Sequence, residues 1–396
     1  MSIQVGIGLS TEKDPVLAAK EAIRKAKSSF PTDKISLAIV FATIDLSTPT
    51  LLKTIGSYLN DTPIIGCSAA AVIYGTTISK EGVVVLLLSL PQGTHFNTSC
   101  VKEIKSKASL GAGEELGEKL LYAFQGVRRD INILLSGALL EDNSSLIFGL
   151  QERLGKSFPL VGGCASDNFA FKKTYVYFDH EVIIDAACSL LLGGKLNFGF
   201  GVQHGWKPLG KPRIVTKSYG NAVFEIDGAP AVDFYKEYLT LGLEDVRSEL
   251  EKISILYPIG IYLPGVEEYL LRSLLSIQED GSLIFQGNVP QNCQIRLMIG
   301  TKESCLESAK YAAQEVKDEF RGKKIDFALV FNSISRYILL RRGAEKELEI
   351  IKEQLGQNTP LIGFYTYGEF APLKSINYQG ITRFHNQTVT ILGVGA

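Results

Sequence analysis

Three apolar runs in the chain show no alternation of polar and apolar positions. They are LAIVFA (37–42), NILLSG (132–137) and FALVFN (327–332). A strand that is apolar at successive positions is one covered on both faces, so each run predicts a buried strand rather than a half-exposed one. Ahead of the first run the period changes to that of a helix. In 15–28, Val16, Leu17, Ala19, Ala22, Ile23 and Ala26 mark one face, and lysines and glutamate mark the other. Further helices are expected over 50–59, 144–155 and 344–356. Each leads into a strand written almost the same way: TPIIGCSA (62–69), FPLVGGCA (158–165) and TPLIGFYT (359–366). A last apolar strand then closes each unit, at 83–89, 187–193 and 388–394.

Sliding the sequence on itself shows why these elements recur. Residues 18–41 fall on residues 308–331 without a gap, and about ten of some two dozen positions are identical, among them Ala19/Ala309, Lys20/Lys310, Phe30/Phe320 and Phe41/Phe331. A more diverged copy lies between them (SLGAGEELGEKLLYAFQG, then INILLSGALL). The flanks VGIGLST and LMIGTKE extend the match, which assigns the first strand of the third copy to the residues around 297–300. Strand–helix–strand–helix–strand–strand is α/β grammar. The expected fold is α/β: internally repeated modules forming mixed sheets, in two lobes. The glycine of the proline–aliphatic–aliphatic–glycine strand is repeated because the chain must turn or pass close to something there.

Residues 196–296 follow another pattern, with strands broken by glycine and proline, a helix at PAVDFYKEYL with Pro230 in its first turn, and a hairpin through Glu279-Asp280-Gly281. The expected boundary is at Gly193-Gly194-Lys195, giving one domain over 1–195 with two repeats and another over 196–396 with the antiparallel insert and the third.

Composition narrows the partners. The 396 residues carry a formal net charge of −1, which leaves no electrostatic footprint for nucleic acid or an anionic membrane. The N-terminus lacks the pattern of a signal peptide. The most apolar run, GVVVLLLSL at 82–90, is too short to span a bilayer. The six cysteines show no C-x-x-C pair and no histidine at metal spacing. The expectation is a cytoplasmic protein without membrane insertion, nucleic-acid partner, metal or obligatory cofactor.

Candidate chemistry belongs where the repeated strands end, since ligands of open α/β sheets bind beyond the carboxyl ends of strands. Those ends carry Cys67 and Ser68, then Cys164, Ser166, Asp167 and Asn168, then Tyr365, Tyr367 and Glu369. The last three alternate along one strand, so they are expected to point the same way and form a pocket wall. Ser166, Asp167 and Asn168 equally suit an Asx-type turn. The cysteines are either small buried thiols, ligand-lining groups or, with a base brought near, nucleophiles. His204 and Trp206, in QHGW, either face a ligand or form a turn in which the indole plugs the core. Asp227, in EIDG, is either a hairpin turn former or, with Glu225, a holder for an amine. Gly6-x-Gly8 lacks the remainder of a dinucleotide fingerprint, and Gly111-Ala112-Gly113 lacks the lysine of a P-loop.

The pairing of PIIGCSAAAVI with FPLVGGCASDN, the run GFGVQHGWKPLGKPRIVTKSYGNAVFEIDGAPAVDFYKEYL, and PLIGFYTYGEFAP together resemble a FIST-domain protein over essentially the whole chain. The resemblance implies a sensory module of intracellular signal transduction that binds small ligands such as amino acids. Some members are haem-containing nitric-oxide sensors, and many are fused to output domains. With no output domain recognisable in the sequence, the expected partners are a small-molecule ligand and a separate signalling protein. Two other readings stand beside this binding module. One is an acyl-transfer hydrolase with Cys67 or Cys164 as nucleophile and His204 as base; the other is a haem-based gas sensor.

Overall fold

The computed structural model of the chain describes residues 2–396 other than 33, 141, 169, 241, 267 and 374–380. Three six-stranded sheets are built to one plan. In the first, strands run in the order Gln4–Ser10, Val83–Ser89, Leu37–Thr43, Ile64–Ala69. The second repeats this with His95–Lys102, Ala186–Gly193, Arg129–Ser136 and Leu160–Cys164, and the third with Asn197–Gln203, Val389–Gly395, Phe327–Ser333 and Leu361–Thr366. In each, the two middle strands of the repeat pair in parallel and the others antiparallel. This is the mixed α/β architecture of repeated modules in two lobes that the hydrophobic pattern implies. The strands of two repeats run from Gln4 to Gly193 along the chain, and those of the third repeat and an insert follow from Asn197.

The edge of each sheet is completed by a hairpin from another repeat. Val176–Phe178 and Glu181–Ile183, which follow the third strand of the second repeat, add to the first sheet. Glu369–Pro372 and Thr382–His385 of the third repeat add to the second sheet. Val72–Tyr74 and Thr77–Ser79 of the first repeat add to the third sheet. The exchange is cyclic and closes on itself, so each repeat both lends an edge and borrows one.

The repeated glycine has a single geometric cause in all three copies. A Cβ on Gly66 would lie 1.8 Å from the carbonyl oxygen of Val40, one on Gly162 1.8 Å from that of Leu134, and one on Gly363 1.9 Å from that of Val330. These are the cross-strand partners in the parallel pairs. The glycine marks a close approach inside the sheet, not a turn.

Alternate residues of the buried strands divide between two environments, as a period of two requires. Leu37, Ile39 and Phe41, Ile131, Ile133 and Leu135, and Phe327, Leu329 and Phe331 share one central core among the three sheets. Within it Phe41 and Phe364 approach to 4.6 Å between ring centroids. Ala38, Val40 and Ala42 pack instead under the helices Pro15–Ser28 and Pro49–Ser57. Asp14 caps the first of these helices, accepting from the backbone N–H of Val16 and Leu17. Gly6 and Gly8 let that helix lie on its strand, since a Cβ would meet the carbonyl oxygens of Ala26 and Ala22 at 2.3 and 2.1 Å.

The third repeat differs from the sequence reading at its first strand. The first three residues of LMIG end the strand Gln294–Ile299, which pairs with Lys207–Tyr219 and Ile259–Ile261 of the insert. Asn197–Gln203 takes the first-strand place, paired with Val389–Gly395 as Gln4–Ser10 is with Val83–Ser89. Gly199 and Gly201 then do for the helix Lys302–Phe320 what Gly6 and Gly8 do for the first helix. The insert is an antiparallel sheet with its own core around Val215, Phe234, Tyr235, Phe285 and Leu297. It enters between the first strand and first helix of the third repeat, which separates two segments that are adjacent in the first.

Two glycine substitutions test this account in opposite directions. Gly363→Ala should destabilise by about 1–3 kcal/mol or more, because the backbone it would strike is itself paired. Gly111→Ala, in the helix Ser109–Tyr122 with open space around the added carbon, should stabilise by about 0.5–1 kcal/mol. Urea denaturation of both checks the pair, and equal effects would refute the close-approach explanation.

Candidate functional site

The three strand ends meet, and they meet as hydrogen-bonded chain. The Ser68 hydroxyl donates to the Ser166 carbonyl at 2.9 Å and accepts from Tyr175 N–H. Ser166 N–H donates back to the Ser68 carbonyl, and the Ser166 hydroxyl accepts from Ala70 N–H at 2.8 Å and donates to the Tyr365 carbonyl. Tyr365 N–H donates to Ala71, and Cys164 N–H to Gly368. Every pair among the three repeats is joined. Cys67, Ser68, Cys164, Ser166 and Tyr365 are all completely buried, so the crossing itself is filled.

Asp167 and Tyr367 stand where this crossing opens. The carboxylate of Asp167 accepts from the backbone N–H groups of Phe171, Lys172 and Lys173 at 2.8–3.0 Å and from the Tyr367 hydroxyl. Burial pushes Asp167 upward, but Tyr367 and the three N–H donors outweigh it and hold the acid below its usual range. The Tyr367 ring stacks on Phe171, with centroids 4.0 Å apart and planes within 10°. Tyr367 and Phe171 then form part of a cleft of about 690 Å³, a volume typical of small-molecule sites. Leu139 and Phe171 contribute from the second repeat; Ser333, Ser335 and Ile338 contribute from the third repeat. Leu250, Glu251, Ser254, Leu274 and Gln286 contribute from the insert.

Tyr365, Tyr367 and Glu369 do not share one face. The strand Leu361–Thr366 ends, the chain bends at Tyr367 and Gly368, and Glu369 begins a strand of another sheet. Tyr365 turns toward Tyr337, 5.0 Å between ring centroids, and its hydroxyl has no hydrogen-bond partner among the described residues. Glu369 is fully buried, accepting from the Thr366 hydroxyl and from Thr388 N–H and Oγ1 at 3.1 and 2.7 Å. Burial raises it to about 7, against the pull of both threonines and Arg336.

The remaining sequence-derived candidates lie apart from the cleft lining. Cys67 sits in the central core, and Cys164 lies 3.5 Å from the Ser136 hydroxyl. Burial pushes both thiols up, away from thiolate. No hydrogen bond joins His204 to either cysteine among the described residues. Instead, His204 Nδ1 accepts from Trp206 N–H at 2.9 Å, and Nε2 faces Glu268 at 3.5 Å. Burial and the Arg336 charge lower His204 to about 3, which leaves it neutral. Trp206 is core, donating from Nε1 to the Ile255 carbonyl at 3.0 Å and lying against Gly300. Asp227 holds a left-handed turn at φ 51°, accepting from Ile214 N–H and pairing with Arg213 at the surface. Asn168 is exposed and bonds Asp45.

These positions do not fit a haem. His204 turns to Trp206 and Glu268, and the other buried imidazole, His385, faces the Ala371 carbonyl through Nε2 at 3.0 Å. Neither ring lines the cleft.

The sequence reading did not pick out Arg336 and Glu347, a fully buried pair. Arg336 Nε donates to Glu347 at 2.9 Å, and its other nitrogens reach the carbonyls of His204 and Cys305 and the Ser308 hydroxyl. The available signal was a lone arginine in the apolar stretch NSISRYILL. Phe171, Ser333, Gln286 and Glu251 were likewise unmarked, because nothing in their local pattern separates them from loop and surface residues.

Comparison with known proteins gives a consistent result. Residues 36–229 match the family model of the FIST N domain, and residues 231–372 that of the FIST C domain. An uncharacterized protein of Mycobacterium tuberculosis is 24% identical over 387 residues, covering 95% of this chain and 96% of its own length. An uncharacterized protein of Mycobacterium bovis is 25% identical over 390 residues, with the same coverage. An archaeal relative from Methanocaldococcus jannaschii, also uncharacterized, is 23% identical over 353 residues, covering 82% of this chain and 66% of its own. No helix among the described residues is long and apolar enough to cross a membrane.

Glu369 gives this region a pH signature. Its folded-state value lies above the ordinary 4.5, so its contribution to stability is complete below about 4.5 and is lost as the pH rises through about 7. His204 and His385, lowered to about 3 and 4, act in the opposite direction over part of that range, so the informative quantity is a difference. Relative to the native chain, Glu369→Gln should gain stability as the pH rises from about 4.5 to 8. Urea melts across that range measure it, and a difference independent of pH would disprove the assignment.

Proposed function

Because the chain belongs to the FIST family, a sensory family of signal transduction, we propose that it binds a small metabolite in the cleft between its lobes and signals to a separate output protein. The observation that carries this reading is the cleft's composition. Leu139, Leu274 and Ile338 offer apolar surface, while Ser254, Ser273, Ser333 and Gln286 offer neutral hydrogen-bonding groups. Glu251 is the one charged group among the described lining residues. That combination suits a ligand with an amine and an apolar body, held by a carboxylate at one end and aliphatic surface at the other. An amino acid with a neutral side chain meets these requirements, its carboxylate accepting from the serine hydroxyls.

The signalling half of the proposal rests on whose residues form the walls. One wall belongs to the insert and the other to the second and third repeats, so a ligand touching both favours one packing of the insert against the repeats over others. A partner protein sensitive to that packing would read occupancy. Covalent chemistry has less support, since both candidate cysteines are buried, raised in pKa and without the proposed base.

A thermal-shift panel of amino acids, amines and nucleosides tests the reading. One class of amine-bearing ligand should stabilise the protein, by about 2.7 kcal/mol at a hundred times its Kd. Glu251→Gln, on an exposed side chain, should weaken that ligand at least about tenfold, and Ile338→Trp should abolish its effect by filling the cleft. A panel without any shift would count against the binding module.

A further inference from the structure

Two arginines are buried deeply enough to need an explanation, and only one of them has its anion. Arg336 has Glu347. Arg272, 3% exposed, donates from Nε to the Asn288 carbonyl at 3.0 Å and from Nη1 to the carbonyls of Leu271 and Phe384 at 2.8 and 3.0 Å. All three acceptors are neutral, and no ion pair of Arg272 is formed with any described residue. The acid whose charge acts on it is Asp142. The oxygens of Asp142 already cap the helix Asn143–Leu154, through Ser144 and Ser145, and accept from Asn288 Nδ2. Burial and the charge of Arg383 lower Arg272 to about 10, so it remains cationic at neutral pH.

Arg272 also lines a cavity of about 230 Å³, separate from the interlobe cleft, and Arg383 lines the same cavity. Two like charges therefore border one hollow with no described carboxylate in its lining. The rest of the wall includes the aliphatic side chains Ile147, Ile261 and Leu270. Gly287, at φ 107°, makes room for this arrangement: a Cβ there would lie 3.0 Å from Arg272 Nε and from the Phe384 ring. A buried cation without a counter-charge is costly, and an anion entering beside it recovers that cost. The volume is below the roughly 300–1,000 Å³ of ordinary ligand pockets, which restricts the occupant to a few heavy atoms.

We propose that this cavity is a second binding site, for a short-chain organic carboxylate. Its head group lies against the guanidinium groups of Arg272 and Arg383, and its aliphatic body packs on Ile147, Ile261 and Leu270. With Nε and Nη1 of Arg272 engaged by the three carbonyls, its Nη2 is the nitrogen left to meet the head group, and the planar fork of Arg383 suits two carboxylate oxygens at once. The site is distinct from the cleft in residues and in charge, so it stands whether or not the cleft binds an amine.

Butyrate, its uncharged isostere butyramide and inorganic phosphate are the probes, titrated into the full chain at constant ionic strength. The arginine Nε–H resonances are followed by ¹⁵N NMR, and the melting temperature is measured alongside. Butyrate should move the Arg272 resonance and raise the melting temperature, and butyramide should do neither. Arg383→Gln, on an exposed side chain, should weaken butyrate about tenfold or more, whereas Glu251→Gln in the cleft should leave it unchanged. Phosphate acting in place of butyrate would overturn the carboxylate assignment. No response to either anion, or an equal response to butyramide, would overturn the site.

Discussion

Each sheet in this protein is finished with a hairpin that belongs to another repeat, and most of the remaining structure follows from that exchange. The third strand of a repeat would otherwise present an unpaired edge, with a row of unsatisfied N–H and C=O groups. Tyr177 is paired to Gly66, Phe370 to Gly162 and Ile73 to Gly363, so the borrowed strands lie against the third strands along the repeated glycines. No repeat can complete its own sheet. The first, which lends its edge to the third and borrows from the second, ties the two lobes together.

The exchange also explains why the strand ends converge. A chain leaving the third strand of one repeat must cross to a neighbour's sheet, and three such crossings arranged in a cycle meet in one place. Backbone brought into that interior has to be hydrogen-bonded, and the serines at 68 and 166 supply part of what strand ladders do not. The variable residues after the repeated glycine are therefore first a solution to a crossing. The cleft lies beside this junction, where Asp167, Tyr367 and Phe171 bring it to the surface.

Those relations set what could be read from sequence. The repeats, the buried strands and the helices were legible because they rest on local periodicity and on apolar runs. The glycine was legible only as a turn or a close approach, because the neighbour it approaches is a residue some two dozen or more positions away. The exchange was not legible, because a strand such as Val72–Tyr74 has the same pattern whichever sheet it joins. Tyr365, Tyr367 and Glu369 misled for a related reason: alternation assumes an unbroken strand, and the bend at Tyr367-Gly368 is imposed by the change of sheet. LMIG resembles a first strand because it precedes the equivalent helix in sequence. The insert lies between the true first strand and that helix, and its last strand copies the local pattern.

The residues hidden from the sequence reading link the cleft to the core. Ser335 lines the cleft, and the next residue, Arg336, carries the buried pair with Glu347. Arg336 also gathers the carbonyls of His204 and Cys305, which flank the insert in sequence. On the other wall, Ser254 and Ile255 line the cleft. Their carbonyls accept from Gln387 and Trp206, at 2.8 and 3.0 Å. Trp206 is thus a tie beneath one wall, and Arg336 an anchor beneath the other. A buried ion pair contributes little net stability over an apolar replacement, but breaking it is expensive. Its partners hold together the two ends of the third repeat between which the insert departs and returns. On the proposed reading, a ligand that spans the two walls acts against these same ties, which links occupancy to the packing of the insert on the third repeat.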